Sequence, residues 1–179
     1  MRRVHVIGGP GSGKSTLARR LAQQLRAPVF DLDEIAYAGG AGAKRPLAAR
    51  IADVSAIVAG PAWIAEGIYL WWIDDLLRAA DTILWLDVPW RTAAWRICLR
   101  HVRTSVAGSN RHAGLTRLAR FLRHTRRYYT DTSLAEPNAA DNDGAVTRAH
   151  TAQALAPYRA KLIRCTAPSD VAALFRTAS

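Results

Sequence analysis

Gly8-Gly9-Pro10-Gly11-Ser12-Gly13-Lys14-Ser15-Thr16 decides the reading of this chain. The stretch fits the spacing G-x-x-x-x-G-K-[ST]. Successive backbone N–H groups in such a loop turn inward on phosphate oxygens, and only glycine tolerates the conformations and close approach this requires. A helix starting near Lys14 adds free N–H groups and the positive end of its dipole. Lys14 is expected to reach the β- and γ-phosphates of ATP, and the Ser15 hydroxyl to ligate Mg²⁺. The expected nucleotide contacts are therefore Gly8, Gly9, Gly11, Ser12, Gly13, Lys14, Ser15 and Thr16.

The context on either side is the one the motif needs. Residues 3–7 (RVHVI) form a short β-branched run, read as a buried strand. Residues 14–26 place Leu17, Leu21 and Leu25 at helical spacing. Further strands are predicted at residues 29–32, 63–65, 82–86 and 161–166. Further helices are predicted at 47–58, 69–80, 90–106, 115–129 and 169–175. Residues 38–45, 107–113 and 130–144 carry the glycine, proline, asparagine and aspartate of loops. Strands alternating with helices imply right-handed crossovers and a parallel sheet covered on both faces. The expectation is an α/β fold in a single domain spanning the 179 residues.

In an open parallel sheet, ligands sit beyond the carboxyl ends of the strands. Asp31, Asp33, Glu66 and Asp87 fall at or just past such ends. Asp31 and Glu66 are expected to hold Mg²⁺, through water where needed. Asp33 is expected to orient or deprotonate an acceptor hydroxyl. Asp87, followed by Val88-Pro89, reads instead as a cap of the next helix.

From Val88 to Thr130 there is no acidic residue and there are ten arginines. Arg96, Arg100 and Arg103 recur at helical spacing and share one face. A one-signed helical hairpin calls for anions, either a bound triphosphate or nucleic-acid phosphate. Arg96 and Arg100 are read as functional, and Arg111, Arg117 and Arg120 as a solvated surface. The chain carries a net charge of +11. Its basic residues are almost all Arg and Ala is abundant, so compositional bias accounts for that total equally well. The six Trp residues read as core.

Cys98 and Cys165 fit no zinc or redox spacing and read as free thiols in a reducing compartment. No signal segment precedes the first strand, and no apolar run approaches the ~18 residues needed to span a bilayer. A cytoplasmic location without a membrane partner is expected.

With GGPGSGKSTLARRLA, LDEIAY, WIAEGIY, ADTILWLDVP and RICLR in view, the sequence resembles the nucleoside-monophosphate-kinase-like P-loop family related to adenylate kinase. Within it the resemblance is closest to the FlaR-type DNA topology modulation proteins. It implies a five-stranded parallel sheet with an Arg-rich helical lid, here about residues 96–130. Adenylate kinases share Asp-Val-Pro followed by Arg-Ile-x-x-Arg, here Asp87-Val88-Pro89 and Arg96-Ile97-Cys98-Leu99-Arg100. The resemblance implies that Arg96 covers the adenine or phosphates of ATP and that Arg100 grips the transferring phosphoryl. It also implies that the turn at Ala167 and Pro168 meets adenine through backbone groups. Glu66-Gly67 stands where the family has Asp-Gly. The Arg that holds an acceptor phosphate in adenylate kinases is replaced by the run Ile68-Tyr69-Leu70-Trp71. Arg45 or Arg50 would compensate; otherwise the acceptor is a neutral hydroxyl compound such as a nucleoside, bound by Asp33. The acceptor site is thus expected among Asp33, Arg45, Arg50, Glu66, Gly67 and Tyr69.

The function read from these residues is transfer of the ATP γ-phosphoryl to a small acceptor, a nucleotide or nucleoside. Lys14, Asp33, Arg96 and Arg100 would act on the reacting groups. The alternative is a nucleic-acid-associated P-loop ATPase.

Overall fold

The RVHVI run becomes the central strand: Val4 to Gly8 are all buried, so it needs cover on both faces. The computed structural model describes residues 2–107, 114–132 and 146–176. Five strands, β1 (Arg3–Gly8), β2 (Val29–Asp31), β3 (Trp63–Gly67), β4 (Thr82–Leu86) and β5 (Leu162–Cys165), form one sheet. All neighbours run parallel, in the order β2-β3-β1-β4-β5. The register sets Ile7 beside Gly67 and Gly8 beside Leu86, so the strands end together at one edge.

Eight α-helices are described: α1 (Lys14–Leu25), α2 (Leu32–Ala36), α3 (Leu47–Ala59), α4 (Asp74–Ala79), α5 (Trp90–Val106), α6 (Leu115–Thr130), α7 (Arg148–Leu155) and α8 (Pro168–Arg176). On one face of the sheet, Val4, Val6, Ile64 and Leu84 meet Leu17 and Leu21 of α1, with Val171 and Leu174 of α8 against them. On the other face, Ile7, Ala65, Ile83 and Trp85 meet Val54 of α3, Leu76 of α4, Tyr128 of α6 and Leu155 of α7. Full burial of each Leu, Ile or Val here stabilises the fold by about 1.5–3 kcal/mol.

Four sequence expectations are corrected. The helix expected at 69–80 is only α4. Tyr69, Leu70, Trp72 and Ile73 are all buried, so that apolar run fills the core as irregular chain. The helix starts where Asp74 and Asp75 give its first turn the carboxylates a helix dipole favours. Second, the strand expected at 29–32 stops at Asp31, whose Oδ1 accepts the Asp33 N–H at 2.9 Å and caps the unforeseen α2. Third, Trp95 is 68% exposed rather than core. Ala93 and Ile97 turn α5 toward the interior, and Trp95 lies between them on the opposite face.

Fourth, Asp87 is no helix cap. Pro89 holds the cap position of α5, with no side-chain cap bond. The Asp87 carboxylate is fully buried and receives two guanidinium groups, Arg148 from α7 and Arg164 from β5. α7 itself was not anticipated; Thr147 caps it, accepting the His150 N–H at 3.1 Å. Arg111, and residues 133–144 of the loop expected at 130–144, lie outside the described residues.

Candidate active site

The loop between β1 and α1 is a tight turn, closed by the Ser12 N–H donating to the Gly9 carbonyl at 3.1 Å. Gly11 has φ +80°, and a Cβ there would stand 2.7 Å from the Ala93 carbonyl oxygen. At Gly9 the Tyr128 ring fills the place a Cβ would take. Both positions therefore require glycine.

Two side chains brace this loop, Arg96 from the cleft wall and Tyr129 from behind. Arg96 donates to the Ser12 carbonyl at 2.6 Å, and the Tyr129 hydroxyl donates to the Pro10 carbonyl at 2.9 Å. A trans peptide is planar, with its C=O and N–H on opposite sides. Tying the Pro10 carbonyl to Tyr129, away from the cleft, therefore turns the Gly11 N–H the other way, as a phosphate cradle demands.

A cleft of about 960 Å³ opens on the loop. Gly11, Ser12, Gly13, Lys14, Ser15 and Thr16 line it, as do Arg96, Arg100 and Arg103 on one face of α5. Pro168, Val171 and Ala172 of α8 bound it on one side, and Asp33, Glu66 and Ile68 at the strand ends on another.

The charges in the floor are coupled. Burial pushes the Lys14 ammonium below its usual range, while the carboxylates of Glu66, Asp33 and Asp31 oppose that shift. Burial pushes the Glu66 carboxyl up, opposed by its hydrogen bond with Ser15 and by Lys14. Asp31 is also raised by burial, against the Asp33 N–H that it accepts. The three carboxylates thus lie within electrostatic reach of one lysine.

Ser15, Glu66 and Asp31 are all oxygen donors, the chemistry Mg²⁺ requires. Among the described residues no group of three or more His, Cys, Asp or Glu side chains could hold a metal.

The remaining expected residues divide. Gly8 and Gly9 shape the loop without lining the cleft, and Gly67 is buried. Tyr69 lies behind the cleft and donates to Asp33 Oδ1 at 2.7 Å. Arg45 and Arg50 do not line the cleft. Arg45 donates to Asp53 at 2.6 Å and to the Ile35 carbonyl at 3.0 Å. Arg50 is 1% exposed, with its guanidinium 5.5 Å from the Trp72 ring centre. Pro168 lines the cleft, but both backbone groups of Ala167 are engaged with Asp170. Sequence reasoning missed Tyr128, Tyr129 and Phe121. Phe121 lines the cleft, and its only sequence signal is an aromatic within an arginine-rich helix.

The fold and the loop define the class: an α/β P-loop protein with a five-stranded parallel sheet, an architecture it shares with a solved gluconokinase. The shikimate kinase family model matches residues 10–39. A gluconokinase from Sinorhizobium meliloti 1021 is similar in structure, with a TM-score of 0.50 and 15% identity, over 99% of this chain and 89% of that one. Shikimate kinase from Aquifex aeolicus vf5 has a TM-score of 0.41 and 18% identity, over 70% of this chain and 78% of that one. No curated protein matches the sequence significantly. Among the described residues no helix is long and apolar enough to cross a membrane.

Proposed function

We propose that this chain is an ATP-dependent phosphotransferase that moves the γ-phosphoryl of ATP to the hydroxyl of a small acceptor. The observation that carries this reading is the cleft itself. It runs from the braced phosphate loop, past Lys14, to a carboxylate pair, Glu66 and Asp33, at the strand ends. A carboxylate at that place can orient the attacking hydroxyl and receive its proton.

In this reading the loop N–H groups and Lys14 bind the β- and γ-phosphates. Ser15, Asp31 and Glu66 would hold Mg²⁺, directly or through water; when bound, it neutralises charge on those phosphates. Arg100 and Arg103 enter the cleft from α5 and meet the charge of the transferring group. Arg96, which grips the Ser12 carbonyl, holds the loop and covers the nucleotide. α5 and α6 act as the lid, whose closure excludes water so that transfer outruns hydrolysis. The shikimate kinase family model over residues 10–39 and the fold shared with a gluconokinase, together with the resemblance to adenylate kinase and FlaR-type proteins, support this reading.

The test is turnover of [γ-³²P]ATP with Mg²⁺ against nucleosides, nucleotides and small alcohols, with a control lacking acceptor. Label transferred to one acceptor class, well above hydrolysis, is expected. Hydrolysis alone, stimulated by DNA, would replace this reading with that of a nucleic-acid-linked ATPase.

A further inference from the structure

We infer that the acceptor is an alcohol carrying no anionic group, and that Asp33 receives its hydroxyl. The inference rests on the phosphotransferase reading and narrows it to a substrate class.

A kinase acceptor with a phosphate or carboxylate needs a cation at the acceptor end of the cleft, because a desolvated anion without a partner is strongly disfavoured. The two arginines that the α2–α3 segment brings near that end are committed elsewhere. Arg45 is held in an ion pair with Asp53 at 2.6 Å and also donates to the Ile35 carbonyl. Arg50 is sealed in the core at 1% exposure, over Trp72. Neither lines the cleft, whose wall there is Asp33, Glu66 and the apolar Ile68. Lys14 stands in this floor among the described residues, and it already faces the charges of Glu66, Asp33 and Asp31. Among the described residues, the arginines that line the cleft come from α5 (Arg96, Arg100 and Arg103) and α1 (Arg19 and Arg20), which bound the part of the cleft where the triphosphate is expected. An acceptor anion would therefore meet like charge at the very place where its hydroxyl must sit.

Asp33 is built for an alcohol. It is exposed to the cleft, while the Tyr69 hydroxyl, on a 3% exposed residue, fixes its Oδ1 at 2.7 Å from behind. Its other oxygen is left to accept a hydroxyl proton. In the step, the acceptor oxygen forms a bond to the γ-phosphorus. The bond from that phosphorus to the β–γ bridging oxygen breaks, and ADP departs with its electron pair. The hydroxyl proton passes to Asp33.

Matched acceptors test this directly: uridine against uridine monophosphate, glycerol against glycerate, and glucose against gluconate, each with [γ-³²P]ATP and Mg²⁺. Higher kcat/KM for the neutral member of the accepted pair, by at least 100-fold, is the expected result. Asp33→Asn should lower kcat for that acceptor by at least 100-fold and leave the ATP dissociation constant within about twofold. Preference for the anionic member overturns this inference and leaves the phosphotransferase reading standing. ATP hydrolysis with no transfer to any member overturns both.

Discussion

The Tyr129 hydroxyl donates to the Pro10 carbonyl at 2.9 Å, joining the C-terminal end of α6 to the phosphate loop. The Tyr129 ring leans on Trp90, and its neighbour Tyr128 lies directly behind Gly9. The arginine-rich hairpin is thereby coupled to the cradle: movement of α6 pulls on the Pro10 peptide and on the Gly11 N–H beyond it. Tyr129→Phe keeps the ring and removes the hydrogen bond, a loss of about 1 kcal/mol. ATP affinity, read by titration calorimetry, should weaken about fivefold. The melting temperature should stay within about 3 °C. Unchanged affinity would show that the bond does not organise the loop.

Lys14 carries the second prediction. Its ammonium lies within the fields of Glu66, Asp33 and Asp31. Replacing it by Ala removes the group that would follow charge onto the β–γ bridge, so transfer should fall by at least 10³-fold. The circular dichroism spectrum should not change, because the packing of α1 rests on Leu17, Ala18 and Leu21. Retained turnover in Lys14→Ala would contradict the phosphotransferase reading.

His5 sets a pH dependence of stability. It is wholly buried in β1, and neither ring nitrogen makes a well-formed hydrogen bond within the protein. Burial lowers the imidazole pKa from 6.5 to about 4; the Ala65 backbone opposes the shift and the Lys14 charge adds to it. Above pH 6.5 both folded and unfolded chains hold His5 neutral, and its contribution is complete. As the pH falls from 6.5 toward 4, the unfolded chain binds a proton that the folded one refuses, and stability is lost. By pH 4 the loss is about 3 kcal/mol. Other groups titrate in this window, so the comparison with His5→Leu isolates the term. That variant should be at least as stable at pH 7 and should show a flatter urea-unfolding profile between pH 6.5 and 4.

What the sequence disclosed, and what it hid, follows contact range. The Gly8–Thr16 motif is local, and each strand run is its own record of burial; that is why the sheet and the cradle could be read in advance. Asp87 was misread because its partners Arg148 and Arg164 are 61 and 77 positions away. The Tyr129–Pro10 bond spans 119 positions and leaves no periodic trace. α7, with the sequence RAHTAQAL, buries His150 and Thr151 as well as Leu155, so no apolar stripe announces it. Residues 69–73 failed for the opposite reason. Their apolar spacing suits a helix, yet nearly every side chain is buried, and a one-sided helix cannot bury them all. The acceptor end was the least legible, since the roles of Arg45 and Arg50 depend on Asp53 and Trp72 rather than on their own positions.

Asp87 carries the last prediction. Its carboxylate is fully buried at the end of β4, with Arg148 Nε at 2.6 Å and Arg164 beside it. Arg164 also lies over the Trp85 ring, 4.8 Å from its centre. Removing the carboxylate leaves two guanidinium groups facing each other over an apolar floor. Breaking a fully buried pair costs about 3–5 kcal/mol. Here the arginine side chains are 43% and 51% exposed and relax partly into water, so Asp87→Ala should lose less, about 2–3 kcal/mol in urea unfolding. Adding Arg148→Met and Arg164→Met to Asp87→Leu removes all three charges at once. That triple variant should recover most of the lost stability, because no desolvated charge is left without a partner. Recovery would assign the loss to orphaned charge; a triple variant as unstable as Asp87→Ala would assign it to the lost tie between α7 and the sheet.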